Sequence, residues 1–142
     1  MKHPIEDTVS QFKDICDLKV IFSYAHHLWD VNDGAELLYD VKAGFFNMLT
    51  ARLQYITKST RPDIEPDLEF LITMVSKSNV DDRKKLRRCI SYMNQTVENV
   101  SIIGGFNIKD FFTSVDDSYV VHPNMRIQTG VVMSMGYGML HF

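Results

Sequence analysis

Phe111-Phe112-Thr113-Ser114-Val115-Asp116-Asp117-Ser118-Tyr119-Val120-Val121 is the stretch on which the fold turns, because aromatic and β-branched residues crowd together here without helical spacing. It reads as a strand. Side chains alternate across a strand, so Asp116 and Asp117 are expected on opposite sheet faces. Val100, Ile102 and Ile103 precede Gly104-Gly105 upstream, and residues 131–135 are again strand material, so an antiparallel sheet of about three strands is expected from residue 99 onward. Gly136-Tyr137-Gly138 has the composition of a turn, which would make residues 131–142 a hairpin.

Upstream of this region the pattern is helical. Phe45, Phe46, Leu49, Leu53 and Ile56 recur at spacings of three and four and predict an amphipathic helix over 41–57. Thr60-Arg61-Pro62-Asp63-Ile64-Glu65-Pro66 ends it, since proline does not fit a helix interior, and Pro66 suits the first turn of a second helix carrying Leu68, Leu71, Ile72 and Val75. Ser78 followed by Asp81 fits a helix start, and Leu86, Cys89, Ile90 and Met93 supply the apolar stripe of a third helix, 81–96. Asp81 and Asp82 at its beginning, with Arg87 and Arg88 further along, agree with the helix dipole. Residues 1–40 show no sustained period. Leu18, Val20, Ile21 and Phe22 suggest a strand over 18–24, and Asp30-Val31-Asn32-Asp33-Gly34 a loop. The expected fold class is therefore α+β, in three segments: 1–40 poorly defined, 41–98 helical and 99–142 the sheet.

A chain of 142 residues, 45% hydrophobic and 23% charged, is long enough for one modest core or pieces of two. Its net charge of -3 leaves any attraction for nucleic acid to a local basic patch. Cys16 and Cys89 form neither a CxxC pair nor a Cys/His cluster, which argues against a disulfide framework and a structural zinc. No stretch approaches the roughly 18 apolar residues of a membrane span, and the amino terminus lacks a signal-peptide pattern, so an intracellular protein with no membrane partner is expected. Asn94-Gln95-Thr96 and Asn99-Val100-Ser101 then read as chance glycosylation triplets.

The run Ser114-Val115-Asp116-Asp117-Ser118-Tyr119-Val120-Val121-His122-Pro123-Asn124-Met125-Arg126-Ile127-Gln128-Thr129-Gly130 resembles the start of the ribonuclease H domain of copia-type retrotransposon polyproteins, whose pattern runs roughly V-D-A-S-Y-x-V-H-P-x-M-x-S-H-T-G-G. Ser59-Thr60-Arg61-Pro62-Asp63-Ile64 is similar to the A-R-P-D-I segment between reverse transcriptase and ribonuclease H in that family, and Asp82-Arg83-Lys84-Lys85-Leu86 to its D-W-K-K-L. The sequence departs from the pattern at Asp117, where Ala is usual, at Ile127-Gln128, where the family has Ser-His, and at Val131, in place of the second Gly.

The resemblance implies that residues 41–98 correspond to the helical connection and that the sheet is an incomplete ribonuclease H-like one. It places Asp116 at the family's first catalytic aspartate, one of several acidic groups that hold two magnesium ions about 4 Å apart. The family's other acidic ligands come from later elements, and no Asp or Glu follows Asp117 in this sequence. One carboxylate does not hold magnesium tightly against water, so the expectation is a polyprotein fragment without independent catalysis or cofactor, although the parent family uses Mg2+. The alternative is a domesticated module that binds nucleic acid, such as an RNA–DNA hybrid, or a protein through the basic helix.

Candidate contacts for that alternative are Arg83, Lys84, Lys85, Arg87 and Arg88, with Lys77 nearby; a solvated helix face would carry the same charges. An aromatic-x-Asp-Asp polymerase turn is a poor reading of Val115-Asp116-Asp117, because Ser114 replaces the aromatic. The adjacent pair His26-His27 suits a loop better than a metal site, and the eight methionines suit core filling. An uncovered sheet edge would favour self-association.

Overall fold

Helical periodicity in the first part of the chain yields three helices, α1 (Asp40–Thr60), α2 (Glu65–Thr73) and α3 (Val80–Gln95). The computed structural model describes residues 26–99, 104–105, 107, 109–118 and 128–137. Within these the architecture is α+β, and it divides into two units with the boundary between Asn99 and Val100. The strand expected over 18–24 lies outside the described residues. Among them no helix is long and apolar enough to cross a membrane.

In the helical unit α2 packs against both α1 and α3. α1 contributes Phe46, Leu49, Leu53 and Ile56 to the core, and α3 contributes Leu86, Cys89, Ile90 and Met93, the stripes their spacing predicts. Phe45 lies at the margin of this core. The short α2 is buried more widely than its pattern suggests, because Phe70 and Met74 join Leu68 and Leu71 inside, while Ile72 and Val75 are only half-buried. Thr50 and Thr57 tolerate burial in α1 by turning their hydroxyls back onto helix carbonyls, Thr50 Oγ1 to Phe46 at 3.1 Å and Thr57 Oγ1 to Gln54 at 3.1 Å.

α3 begins one residue later in the capping sense than Ser78 and Asp81 suggest. Asn79 is the cap: its Oδ1 accepts from the backbone N–H groups of Asp81 and Asp82, both at 2.9 Å. Asp82 Oδ2 accepts in return from the Asn79 N–H at 3.0 Å, completing a capping box. Ser78 is displaced from that role because its backbone is committed elsewhere, its carbonyl accepting from Leu38 N–H at 2.8 Å. Val80 N–H donates to the Glu36 carbonyl at 2.9 Å, and Asn79 Nδ2 to the Asn32 carbonyl at 3.1 Å. The segment before α1 is thus tied to the start of α3. Farther up, Trp29 Nε1 donates to the buried carboxylate of Asp67 at 2.8 Å, which ties the same segment to α2.

Arg61, in the segment that resembles A-R-P-D-I, holds the opposite end. Its guanidinium is only 3% exposed and forks onto Asp63, with Nε to Oδ1 at 2.9 Å and Nη2 to Oδ2 at 2.7 Å. Nη1 and Nη2 also donate to the Thr96 carbonyl and hydroxyl at 3.1 and 2.6 Å, and the cation lies 5.5 Å from the centre of the Tyr92 ring. A planar five-donor group is the side chain suited to such a node. It joins the end of α1 to the end of α3.

In the second unit the described residues form short antiparallel pairings. β1 (Gly104–Gly105) pairs with β4 (Gly136–Tyr137), and β2 (Phe112–Ser118) pairs with β3 (Gln128–Ser134). The described strands therefore form two two-stranded ladders rather than one three-stranded sheet. Gly136-Tyr137, expected as a turn, is strand paired to Gly104-Gly105. Glycine permits both parts of this arrangement: Gly136 has φ 127°, and a Cβ on Gly105 would lie 3.2 Å from atoms of Met135.

Two measurements check the Arg61 node. Arg61→Lys keeps the charge and loses the fork, and it is expected to cost about 2 kcal/mol in denaturant unfolding, the scale of charge-assisted hydrogen bonds lost to a partner that partly meets water; a loss below about 0.5 kcal/mol would refute the role. Burial pushes the Asp63 carboxyl up, but its hydrogen bonds and charge contact with Arg61 outweigh this and hold it below its ordinary value of 3.8. A lowered folded value stabilises above the unfolded value and is lost as pH falls through the folded one. The stability difference between the native chain and Asp63→Asn should therefore be level above about pH 5 and shrink below it.

Candidate functional site

Strand alternation and register define the surroundings of Asp116. It lies on β2 opposite Gly130 of β3, with Asp117 opposite Thr129 and Val115 opposite Val131. Asp116 and Ser114 share one face, and Asp117 and Val115 the other, as alternation requires. Both carboxylates are exposed. Among the described residues, a Cβ at Gly130 would meet the Asp116 backbone carbonyl at 3.8 Å, an ordinary contact distance.

Magnesium requires near-octahedral oxygen ligation and sheds water reluctantly. Among the described residues no group of three or more His, Cys, Asp or Glu is close enough to hold a metal ion. The donors around Asp116 do not fit such an ion by themselves. The side chains of His26 and His27, and all of His122, lie outside what is described.

The basic residues of α3 do not act as one surface. Lys85 points inward: it is 5% exposed, pairs with Asp81 at 3.1 Å and Asp82 at 3.9 Å, donates to the Asp30 carbonyl, and lies 5.5 Å from the Phe70 ring centre. It is withdrawn from any phosphate. Its presence helps Asp82 to be ionised, although burial raises the Asp82 carboxyl above its ordinary value despite the Asn79 N–H bond and the nearby lysine. Arg88 is half-buried, whereas Lys84 is exposed and Lys77 lies apart in the turn before the helix.

Arg83, Lys84 and Arg87 border a cavity of about 210 Å³ between α1 and α3, with Lys42 of α1 beside them. Its apolar lining comes from Phe45, Phe46 and Leu49 of α1 and from Val80, Leu86 and Ile90 of α3. Helical spacing explains the pairing of the two sets. Lys42, Phe45, Phe46 and Leu49 fall at i, i+3, i+4 and i+7, and so do Val80, Arg83, Lys84 and Arg87. Lys42 was not singled out by the sequence reading; a cation at the border of an apolar stripe was the available signal.

Cys89 has the opposite character from a reactive thiol. Burial, followed by the negative charge of Asp67, pushes it up to about 12. In the folded chain at pH 8 the peptide bearing Cys89 should remain unalkylated by iodoacetamide for hours and react on unfolding, as read by mass spectrometry; rapid native labelling would contradict the packing. The chain matches no protein-family model, no curated protein and no solved structure.

Proposed function

We propose that this chain is a piece of a copia-type reverse transcriptase–ribonuclease H polyprotein, comprising the helical connection and the opening strands of the ribonuclease H domain, and that it does not cleave RNA–DNA hybrids by itself. The observation that carries this reading is the run Ser114–Gly130, whose family-like pattern takes in β2 from Ser114 onward and enters β3, with Asp116 well inside the first of two antiparallel strands. The upstream motifs support it in order and spacing. Arg61-Pro62-Asp63 forms the joint between α1 and α2, and Asp82 through Leu86 lies in the first two turns of α3.

Exposed apolar side chains on the strands add a physical argument. Phe111, Phe112 and Val115 are 60%, 53% and 63% exposed, on a hairpin too slight to bury them. In this reading they are surfaces that other elements of a ribonuclease H domain cover, and a hairpin edge left uncovered favours self-association. The parent reaction needs several carboxylates around magnesium, and Asp116 supplies one.

Purified chain incubated with magnesium and an RNA–DNA hybrid should release no product above the buffer control. Cleavage that disappears in Asp116→Ala would show the proposed inactivity to be wrong. The DNA downstream of the Phe142 codon, in frame or shifted, should encode the remaining acidic motifs of the family, and flanking DNA without any of them would remove the polyprotein reading.

A further inference from the structure

The cavity between α1 and α3 combines an apolar floor with a rim of one charge sign, and nothing in the proposed ancestry explains that combination. Phe46, Leu49, Leu86 and Ile90 are each less than 5% exposed and form its base. Phe45 and Val80 are half-buried and offer the accessible apolar surface. Lys42 comes from one helix, and Arg83, Lys84 and Arg87 from the other. Among the described residues, Lys42, Arg83 and Lys84 make no ion pair with a carboxylate, whereas Lys85, one position on, is neutralised by Asp81 and Asp82. The rim is thus a local positive patch on a chain of net charge -3.

Size and chemistry limit what this site takes. A volume of about 210 Å³ is below the roughly 300–1,000 Å³ of sites that enclose a cofactor or drug-sized ligand, yet ample for one large side chain. A phosphate backbone gains nothing from an apolar floor, and of the two aromatic rings lining the site Phe46 is 1% exposed, which leaves the half-buried Phe45 as a single ring where successive bases need several to stack on. An apolar side chain flanked by carboxylates satisfies both parts of the site. The parallel i, i+3, i+4, i+7 sets on α1 and α3 are the spacing against which an amphipathic segment lays its own apolar stripe.

We propose that the groove between α1 and α3 is a docking site for an acidic amphipathic protein segment, anchored by one Leu- or Phe-sized side chain over Phe45 and Val80 and held by Asp or Glu side chains against Lys42, Arg83 and Lys84. The assignment holds whether or not the chain derives from a retroelement. Exposed lysines on both helices give specificity and speed of encounter, and the anchor gives retention.

The test uses the full chain and a fluorescent synthetic peptide of about fifteen residues, roughly four helical turns, with Leu at every third or fourth position and Glu between. Saturable anisotropy at micromolar peptide is expected, weakened about tenfold when the Leu positions become Ser and about tenfold when Glu becomes Lys. Lys42→Glu combined with Lys84→Glu changes two exposed positions, leaves the circular dichroism spectrum intact, and should weaken the acidic peptide at least about tenfold while strengthening the Lys-containing one. Absence of saturable binding, equal binding by the variant, or loss of the anchor without effect would each overturn the proposal. A single-stranded oligonucleotide that binds more tightly than the peptide and is lost in the same variant would reassign the groove to nucleic acid, and would overturn it too.

Discussion

A buried guanidinium governs the helical unit. Water solvates an arginine well, so removing Arg61 from it is tolerable only if every donor finds an acceptor and the charge finds a counterion. Asp63 supplies the counterion two residues away, Thr96 supplies two oxygens from the far end of α3, and the Tyr92 ring covers the cation. Arg61 can be buried only if α1 ends where Pro62 ends it and α3 runs as far as Thr96. The register of two helices is therefore written into one side chain. Total folding free energy is commonly about 5–15 kcal/mol, so a node of a few kcal/mol is a considerable share of it.

Lys85 shows the same logic at the other end of α3. It is sheltered among Asp81, Asp82, the Asp30 carbonyl and the Phe70 ring, and it fixes the start of α3 against the segment that precedes α1. A basic side chain inside and its neighbours outside have opposite consequences for binding. Lys84 and Arg83 remain with Lys42 around an apolar opening, and this division turns a run of positive charge into a groove with a defined preference.

Much of the helical unit was legible because burial there follows a local period. Phe46, Leu49, Leu53 and Ile56 announce their helix, and Leu86, Cys89, Ile90 and Met93 announce theirs. Phe70 and Met74 escaped because α2 is short and enclosed on more than one side, which erases the stripe a period detects. Ser78 and Asn79 are both good caps, and only the bond from Leu38 to the Ser78 carbonyl decides between them. Gly136-Tyr137 has the local character of a turn, and its strand identity comes from Gly104-Gly105, far away in sequence. The inward turn of Lys85 lay within reach, since it shares the helix face of Asp82 and Cys89. Asp116 was placed by resemblance to a motif, and its strand position followed from composition; no local pattern says what surrounds a carboxylate.

Among the described residues the hydrophobic core of the helical unit runs from Leu38 to Met93. The single tryptophan, Trp29, lies in the helical unit, so its fluorescence reports on the melting of that unit. A substitution that leaves the transition temperature untouched is therefore no testimony that Asp116 keeps its place. Amide exchange on 112–118, measured residue by residue, is the observable that speaks for that strand.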